Sequence, residues 1–279
     1  MPLIDPLASV HPDAQLADSV QIGPFCVVES DVAIGEGCVL HARASVKSGV
    51  ILGRDNQIYE GAVVGGRPQY LGAKDELGKL IVGDRNHIRE NATLHLGLAP
   101  GKNTIVGDDN FLMVAVHIGH DCQLGNNIIM ANNAMLGGHV VVQDRAFISG
   151  NVAVHQFCRI GSLAMVGGQA RVTRDIPPFV MIDGLSSLMV GLNKVGLRRA
   201  GFTREEVADI KAAYRLAFCG DASWNDMLVA LQEQFTSGPG AQFAEFLTGG
   251  TRGFVRERRD SRARTLKLHQ PQVATTPAE

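Results

Sequence analysis

Aliphatic residues recur along this chain at every sixth position. From Ile4 the register runs through Val10, Leu16, Ile22, Val28, Ile34, Leu40, Val46, Leu52, Ile58 and Val64 without a miss. It resumes at Val82, Ile88 and Leu94, then continues from Val106 through Leu112, Ile118, Leu124, Met130, Leu136, Val142, Ile148, Val154, Ile160 and Val166 to Val172. A helix repeats every 3.6 residues and a plain strand every two, so neither explains a six-residue beat. A parallel β-helix does. Each hexad is a short strand whose aliphatic residue points inward, three hexads close a triangular coil of about 18 residues, and coils stack about 4.8 Å apart.

Two stretches hold the phase but lose the pattern. Residues 65–81 put Tyr70 and Glu76 at inward positions, and residues 95–105 put Pro100 there, so both are expected to leave the coil as loops. Such excursions from a regular wall either supply functional groups or are tolerated insertions. After Pro177-Pro178 the beat stops and helical signals begin. Thr203 and Glu206 make a capping box ahead of Val207, Ile210, Tyr214, Ala217 and Phe218 on one helical face. Gly220 ends that helix, Ser223 to Asp226 offers a second N-terminal cap, and residues 241–248 suit a short third helix. The expected organisation is a mainly β chain. A β-helix over residues 1–190 precedes helices over 191–256 that pack on it or cap it, and a basic tail over 257–279 is disordered at its end.

Composition agrees with a thin aliphatic prism. Glycine is abundant at 32 residues, whereas Phe, Trp and Tyr number 11, 1 and 3. A net charge of −2 gives no global case for nucleic acid. No 18 apolar residues run together, so no helix is expected to span a membrane. The opening Met-Pro-Leu-Ile-Asp-Pro lacks the regions of a signal peptide, and five cysteines with no CxxC fit neither a disulfide framework nor a zinc ribbon. A soluble cytoplasmic protein is the expectation.

Four of the nine histidines lie between residues 117 and 155. Counted modulo 18 downstream of Val106, His117, His120, His139 and His155 fall on one edge of the prism. His120, Gly138 and Gln156 are spaced by 18 and stack in one column. An imidazole titrates near neutrality, so His120 suits a base for a hydroxyl proton, with Asp121 beside it. Gly138 offers a main-chain N–H to a developing oxyanion. That is a layout for acyl transfer to an alcohol. The rival is zinc held by histidines, although no ligand spacing here is specific for a metal. The basic groups around Lys194, Arg198, Arg199 and Arg204, and from Arg252 to Lys267, suit either solvated faces or acidic partners.

These segments resemble a known family. His117-Ile-Gly-His120-Asp121-Cys, Ala131-Asn-Asn-Ala134, Gly138-His139 and Ala153-Val-His155-Gln156-Phe157-Cys158 resemble UDP-N-acetylglucosamine acyltransferase, and so do Asp175-Ile-Pro-Pro178, Gly201-Phe202 and Thr251-Arg-Gly253. The resemblance covers residues 1 to about 256. It implies a homotrimer of left-handed β-helices with sites between neighbouring subunits. The implied reaction moves a 3-hydroxyacyl chain from acyl carrier protein to the 3-hydroxyl of UDP-N-acetylglucosamine, the first step of lipid A synthesis, without a cofactor. By position it makes His120 the general base, Asp121 its partner and Gly138 the oxyanion donor. It assigns substrate contacts to His117, His139, His155, Gln156 and Gln69, nucleotide contacts to Asn193 and Arg199, and a limit on acyl length to Gly168.

The departures gather in sugar-nucleotide recognition. The family's Gln-Asp-Leu-Lys reads Gln69-Tyr70-Leu71-Gly72 here, its Asn-x-Glu-Gly-Leu reads Asn193-Lys-Val195-Gly-Leu197, and one arginine of the following pair is Ala200. Acyl transfer is therefore better supported than the identity of the acceptor. A different nucleotide sugar or an amine is the alternative acceptor. A non-catalytic binding protein and a metal-dependent hydratase are the alternatives of other classes.

Overall fold

The computed structural model describes residues 1–220 and 222–258. Among the described residues, twenty-eight strands, most of two or three residues, wind into a triangular parallel β-helix, and four helices follow. The first face has eleven strands, from Leu3–Ile4 to Met189–Leu192; the second has nine, from Ser9–Val10 to Arg171–Val172; the third has eight, from Gln15–Leu16 to Arg159–Ile160. All pairings are parallel except the last on the first face, where Val180–Ile182 meets Met189–Leu192 antiparallel.

The inward column is the one the six-residue beat predicts: Ile22 through Val172 are buried at every in-phase coil position. Ile4, Val10 and Leu16 are more exposed, because no coil lies beneath the first. A second column, two residues earlier in each hexad, went unread in the sequence. Val20, Cys26, Val32, Cys38, Ala44, Val116, Cys122, Ala134 and Cys158 belong to it, all essentially fully buried. These positions lie where the prism narrows towards a corner, so small residues fill them. Four of the five cysteines are thus compact core residues. Asn56, Asn86 and Asn110 take the same position in consecutive coils. Each side-chain oxygen accepts the main-chain N–H of the coil above, from Asn86, Asn110 and Ile128 at 2.8–2.9 Å.

The corners explain the polar residues between the strands. One residue at most corners adopts a left-handed conformation, and Asp and Asn recur there: Asp109, Asn127 and Asn133 have φ of 57–60°, and His139 shares the position with φ of 60°. Short polar side chains tolerate that region best among non-glycine residues.

Both expected loops leave the coil, spanning residues 67–79 and 96–103 between strands of the second and third faces. Ile51 pairs with Ile81 and Ile81 with Ile105, spacings of 30 and 24 residues instead of 18. The insertions are therefore twelve and six residues, which is why the phase survives them. Tyr70, Glu76 and Pro100 are exposed.

The helices are α1 (Lys194–Arg199), α2 (Arg204–Phe218), α3 (Trp224–Gln234) and α4 (Ala241–Thr248). Helix α1 carried no sequence signal beyond its basic residues. The capping box of α2 forms as expected, with the Glu206 N–H donating to Thr203 Oγ1 at 3.2 Å and the Thr203 N–H to Glu206 Oε2 at 2.8 Å. Ser223 caps α3. A buried Arg159–Asp175 pair at 2.8 Å ties the coil to the end of α4, where Arg159 also donates to the Phe246 and Gly249 carbonyls. After α4 the chain returns to the coil, bridging Asp175 with Phe254 and Met189 with Glu257. Apart from residues 257 and 258, the basic tail lies outside the described residues.

Candidate active site

The corner between the second and third faces carries the candidate catalytic residues. His120 and Asp121 turn this corner in one coil, Gly138 and His139 in the next, and His155, Gln156 and Phe157 in the one after. Main-chain hydrogen bonds lock the column: the His139 N–H donates to the His120 carbonyl at 2.9 Å and the Phe157 N–H to the Gly138 carbonyl at 3.1 Å. Asp121, His139 and Phe157 occupy the left-handed position, with φ of 59°, 60° and 66°. His117 stands just before the corner, on the strand His117–Ile118.

His120 Nδ1 lies 2.7 Å from Asp121 Oδ2. A carboxylate only accepts, so the imidazole donates from Nδ1 and keeps its Nε2 lone pair for an incoming proton. Their side chains are 15% and 7% exposed, which leaves the pair poorly screened. Asp121 is itself held from both ends of the second loop. Its Oδ2 accepts the Leu98 N–H at 3.2 Å, and its N–H donates to Thr104 Oγ1 at 2.8 Å.

Gly138, in the next coil, lies against the imidazole. A Cβ there would stand 2.6 Å from His120 Cε1 and 2.7 Å from Nε2, so the ring's position requires glycine. Among the described residues, the Gly138 N–H has no acceptor. Its corner position never needs a donor, since Pro24 and Pro178 occupy it elsewhere in the coil. A free N–H beside the imidazole is thus what the coil leaves over at this corner.

His139 stacks on Phe157, with ring centres 4.6 Å apart and planes 7° from parallel, and meets His120 edge-on at 5.1 Å. Burial holds its pKa below the usual histidine value, against the pull of Asp121. Burial lowers His117 further, to about 4, helped by nearby His95. His117 Nδ1 pairs with Thr93 Oγ1 at 3.0 Å. His155 donates from Nδ1 to the Gln156 carbonyl at 3.1 Å, and both side chains are exposed.

The remaining predicted residues lie elsewhere. Gln69 is exposed on the first loop. Gly168 sits at the corner between the first and second faces, a different edge from His120. Asn193 caps α1, accepting from the Gly196 N–H and donating to the Leu163 carbonyl, each at 2.9 Å, so its amide already holds the fold together. With Arg199 it lines a hollow of about 600 Å³ against the first face, shared with Arg145, Phe147 and Met165. Within one chain the predicted site therefore falls into four places.

Two site residues escaped the sequence reading. His95 is buried, donates from Nδ1 to the Arg67 carbonyl at 2.7 Å, and stands 4.9 Å from the His117 ring. Tyr70 reaches from the first loop to within 6.3 Å of the His120 ring. The 18-residue count begins only after Val106, and coils of 30 and 24 residues hide both positions from it. Among the described residues, His120, Asp121 and His139 also form a potential metal-ligating group, their donor atoms within 4.8 Å of one another.

A family profile described as "Udp N-acetylglucosamine O-acyltransferase; Domain 2" matches residues 175–255, and one for the bacterial transferase hexapeptide (six repeats) matches residues 13–47. The acyl-(acyl-carrier-protein)–UDP-N-acetylglucosamine O-acyltransferase of Paraburkholderia phymatum is 47% identical over 262 residues, covering 92% of this chain and all of that relative. The chain belongs to the UDP-N-acetylglucosamine O-acyltransferase family. A relative of the same name from Halorhodospira halophila is 45% identical, again over 92% of this chain and all of its own length. Among solved structures, the Francisella novicida UDP-N-acetylglucosamine acyltransferase superposes with a TM-score of 0.89 at 36% identity, covering 96% of this chain and all of the other. The Arabidopsis enzyme gives 0.79 at 35%, covering 91% and all. Family membership makes the coil a left-handed β-helix, as the resemblance implied. No described helix is long and apolar enough to cross a membrane.

Proposed function

We propose that this chain transfers a 3-hydroxyacyl group from acyl carrier protein to the 3-hydroxyl of UDP-N-acetylglucosamine, the first step of lipid A synthesis, with His120 as general base. The carrying observation is the His120–Asp121 pair at 2.7 Å beside the unspent Gly138 N–H. Nε2 of His120 takes the sugar hydroxyl proton as that oxygen attacks the thioester carbonyl. The tetrahedral oxyanion meets the Gly138 N–H, and Asp121 stabilises the imidazolium. Collapse breaks the C–S bond, and His120 returns its proton to the departing carrier thiolate, which leaves as the thiol.

His117 and His139 stay neutral near pH 7, so they contact substrate as hydrogen-bonding groups rather than as cations. His155 and Gln156, exposed above the reacting column, extend the contact surface. Gly168, Asn193 and Arg199 act on a neighbour's substrate. In the proposed homotrimer, the Gly168 corner and the α1 hollow of one protomer would complete the His120 corner of the next. The expected compartment is the cytoplasm.

Turnover of 3-hydroxyacyl carrier protein with a panel of nucleotide sugars tests the proposal, with His120→Ala alongside. The variant is expected to lose at least about two orders of magnitude, the scale of a general base. Wild-type rates in His120→Ala remove it from that role. The grouping of His120, Asp121 and His139 favours a second reading, a bound metal. Stoichiometric zinc in the purified protein, with activity lost on chelation, replaces the acid–base mechanism by that one.

A further inference from the structure

Resting on the assignment of His120 as the base, we infer that Tyr70 is a specificity-determining residue that receives the acceptor sugar on its aromatic face, and that residue 72 is glycine to make room for it. The ring stands 6.3 Å from His120, inclined by 45°, and Tyr70 remains 55% exposed, so its face is not spent on the core. A reacting hydroxyl has to come within about 3 Å of His120 Nε2. The pyranose that carries it then lies beside Tyr70. An aromatic face suits the C–H side of a sugar and needs no charged partner.

Two features hold the ring there. The Ala73 N–H donates to the Tyr70 carbonyl at 3.0 Å, closing a tight turn. The ring folds back over Gly72, where a Cβ would stand 2.7 Å from Cε1, 3.0 Å from Cζ and 3.1 Å from the hydroxyl. Gly72 is outside the left-handed region, so no backbone demand calls for glycine; the Tyr70 ring does. The loop root is braced on both sides. His95 takes the Arg67 carbonyl at 2.7 Å, and the Arg67 guanidinium reaches the Lys74 carbonyl at 3.2 Å and Asp75 at 3.7 Å. Tyr70 and Gly72 therefore form one unit within a fixed loop, and the two departures from the family pattern explain each other.

The test is a double-mutant cycle on the full chain, read as separate KM values for UDP-N-acetylglucosamine and for 3-hydroxyacyl carrier protein. Tyr70→Ala is expected to raise the acceptor KM about tenfold, the scale of one aromatic face, with the donor KM within about twofold. Tyr70→Phe should stay near wild type. Gly72→Ala should reproduce the rise by displacing the ring, and the double variant should be no worse than Tyr70→Ala. An unchanged acceptor KM in Tyr70→Ala, or additive effects of the two substitutions, overturns the inference while leaving the acyl transfer intact. If the wild type transfers to no sugar, the proposed function fails separately. Calorimetric binding of UDP-N-acetylglucosamine to the same five proteins then decides the role of Tyr70: about tenfold weaker binding in Tyr70→Ala supports it, and equal binding overturns it.

Discussion

Gly138→Ala probes the geometry of the base most directly. The added Cβ would stand 2.6 Å from His120 Cε1, against about 3.4 Å for an ordinary contact, so the imidazole has to retreat by roughly 0.8 Å. Asp121 cannot follow, because the Leu98 N–H and Thr104 hydroxyl fix it. The 2.7 Å His120–Asp121 hydrogen bond is therefore strained or broken as the ring moves. A misplacement near 1 Å costs about 100-fold in rate. The variant keeps its main-chain N–H, and position 138 has no left-handed conformation to disfavour alanine. The fold should survive, so a thermal melt close to wild type is expected together with a kcat about 100-fold lower in steady-state acyl transfer. A folded Gly138→Ala protein with wild-type kcat refutes the placement of His120 against Gly138 as the reacting geometry.

Three further outcomes follow from the same structure. His117 has a pKa of about 4 in the fold against 6.5 when unfolded, so below pH 6.5 the unfolded chain binds a proton that the folded one refuses. Stability is therefore full above pH 6.5 and falls as pH drops towards 4, by at most about 3 kcal/mol; in urea titrations at pH 7 and 4.5, His117→Gln should lose less than wild type. Burial holds the thiols of Cys122 and Cys158 at about 12 and 11, so under native conditions a thiol reagent should titrate Cys219 alone, and all five cysteines in denaturant. If sites are shared between neighbours, His120→Ala and Arg199→Ala chains refolded together one to one should recover about a quarter of wild-type activity, because each random pairing has that chance of supplying both residues. No recovery beyond the separate variants means that His120 and Arg199 serve a site within one chain, and overturns the sharing of sites between neighbours.

How much of this was legible depended on which physical rule governed each residue. The inward aliphatic column was readable because the prism admits only one kind of side chain there, repeated at a fixed interval. The cysteines were not readable as core, because their column alternates Val, Ala, Cys and Asn and is defined by volume rather than hydrophobicity. The stack of His120, Gly138 and Gln156 was readable because, after Val106, three hexads convert sequence spacing directly into height. His95 was hidden for the same reason inverted: it lies below that point, where two coils are longer than 18 residues. Its partnership with the Arg67 carbonyl depends on where a loop begins, which no periodicity specifies. Helix α1 was hidden because six residues cannot show a helical period.

The placement of the loops gives the repeat its functional sense. Outward side chains on a β-helix stand in straight columns on flat faces, so the wall can align groups but cannot enclose a substrate. Here both insertions leave from the corner that carries His120, in the two coils directly beneath it. The second loop supplies the Leu98 N–H that fixes Asp121, and the first supplies Tyr70 beside the imidazole. On the proposed mechanism, the wall fixes the catalytic groups to a rigid column, while recognition is written in segments free of the six-residue constraint. A loop residue can change without disturbing the inward column, as Tyr70 and Gly72 have; a catalytic residue shifted by one position would leave its corner. On the residues that carry the resemblance, the same division accounts for the departures at Tyr70 and Gly72 in the loop beside His120, Asp121 and Gly138 in register.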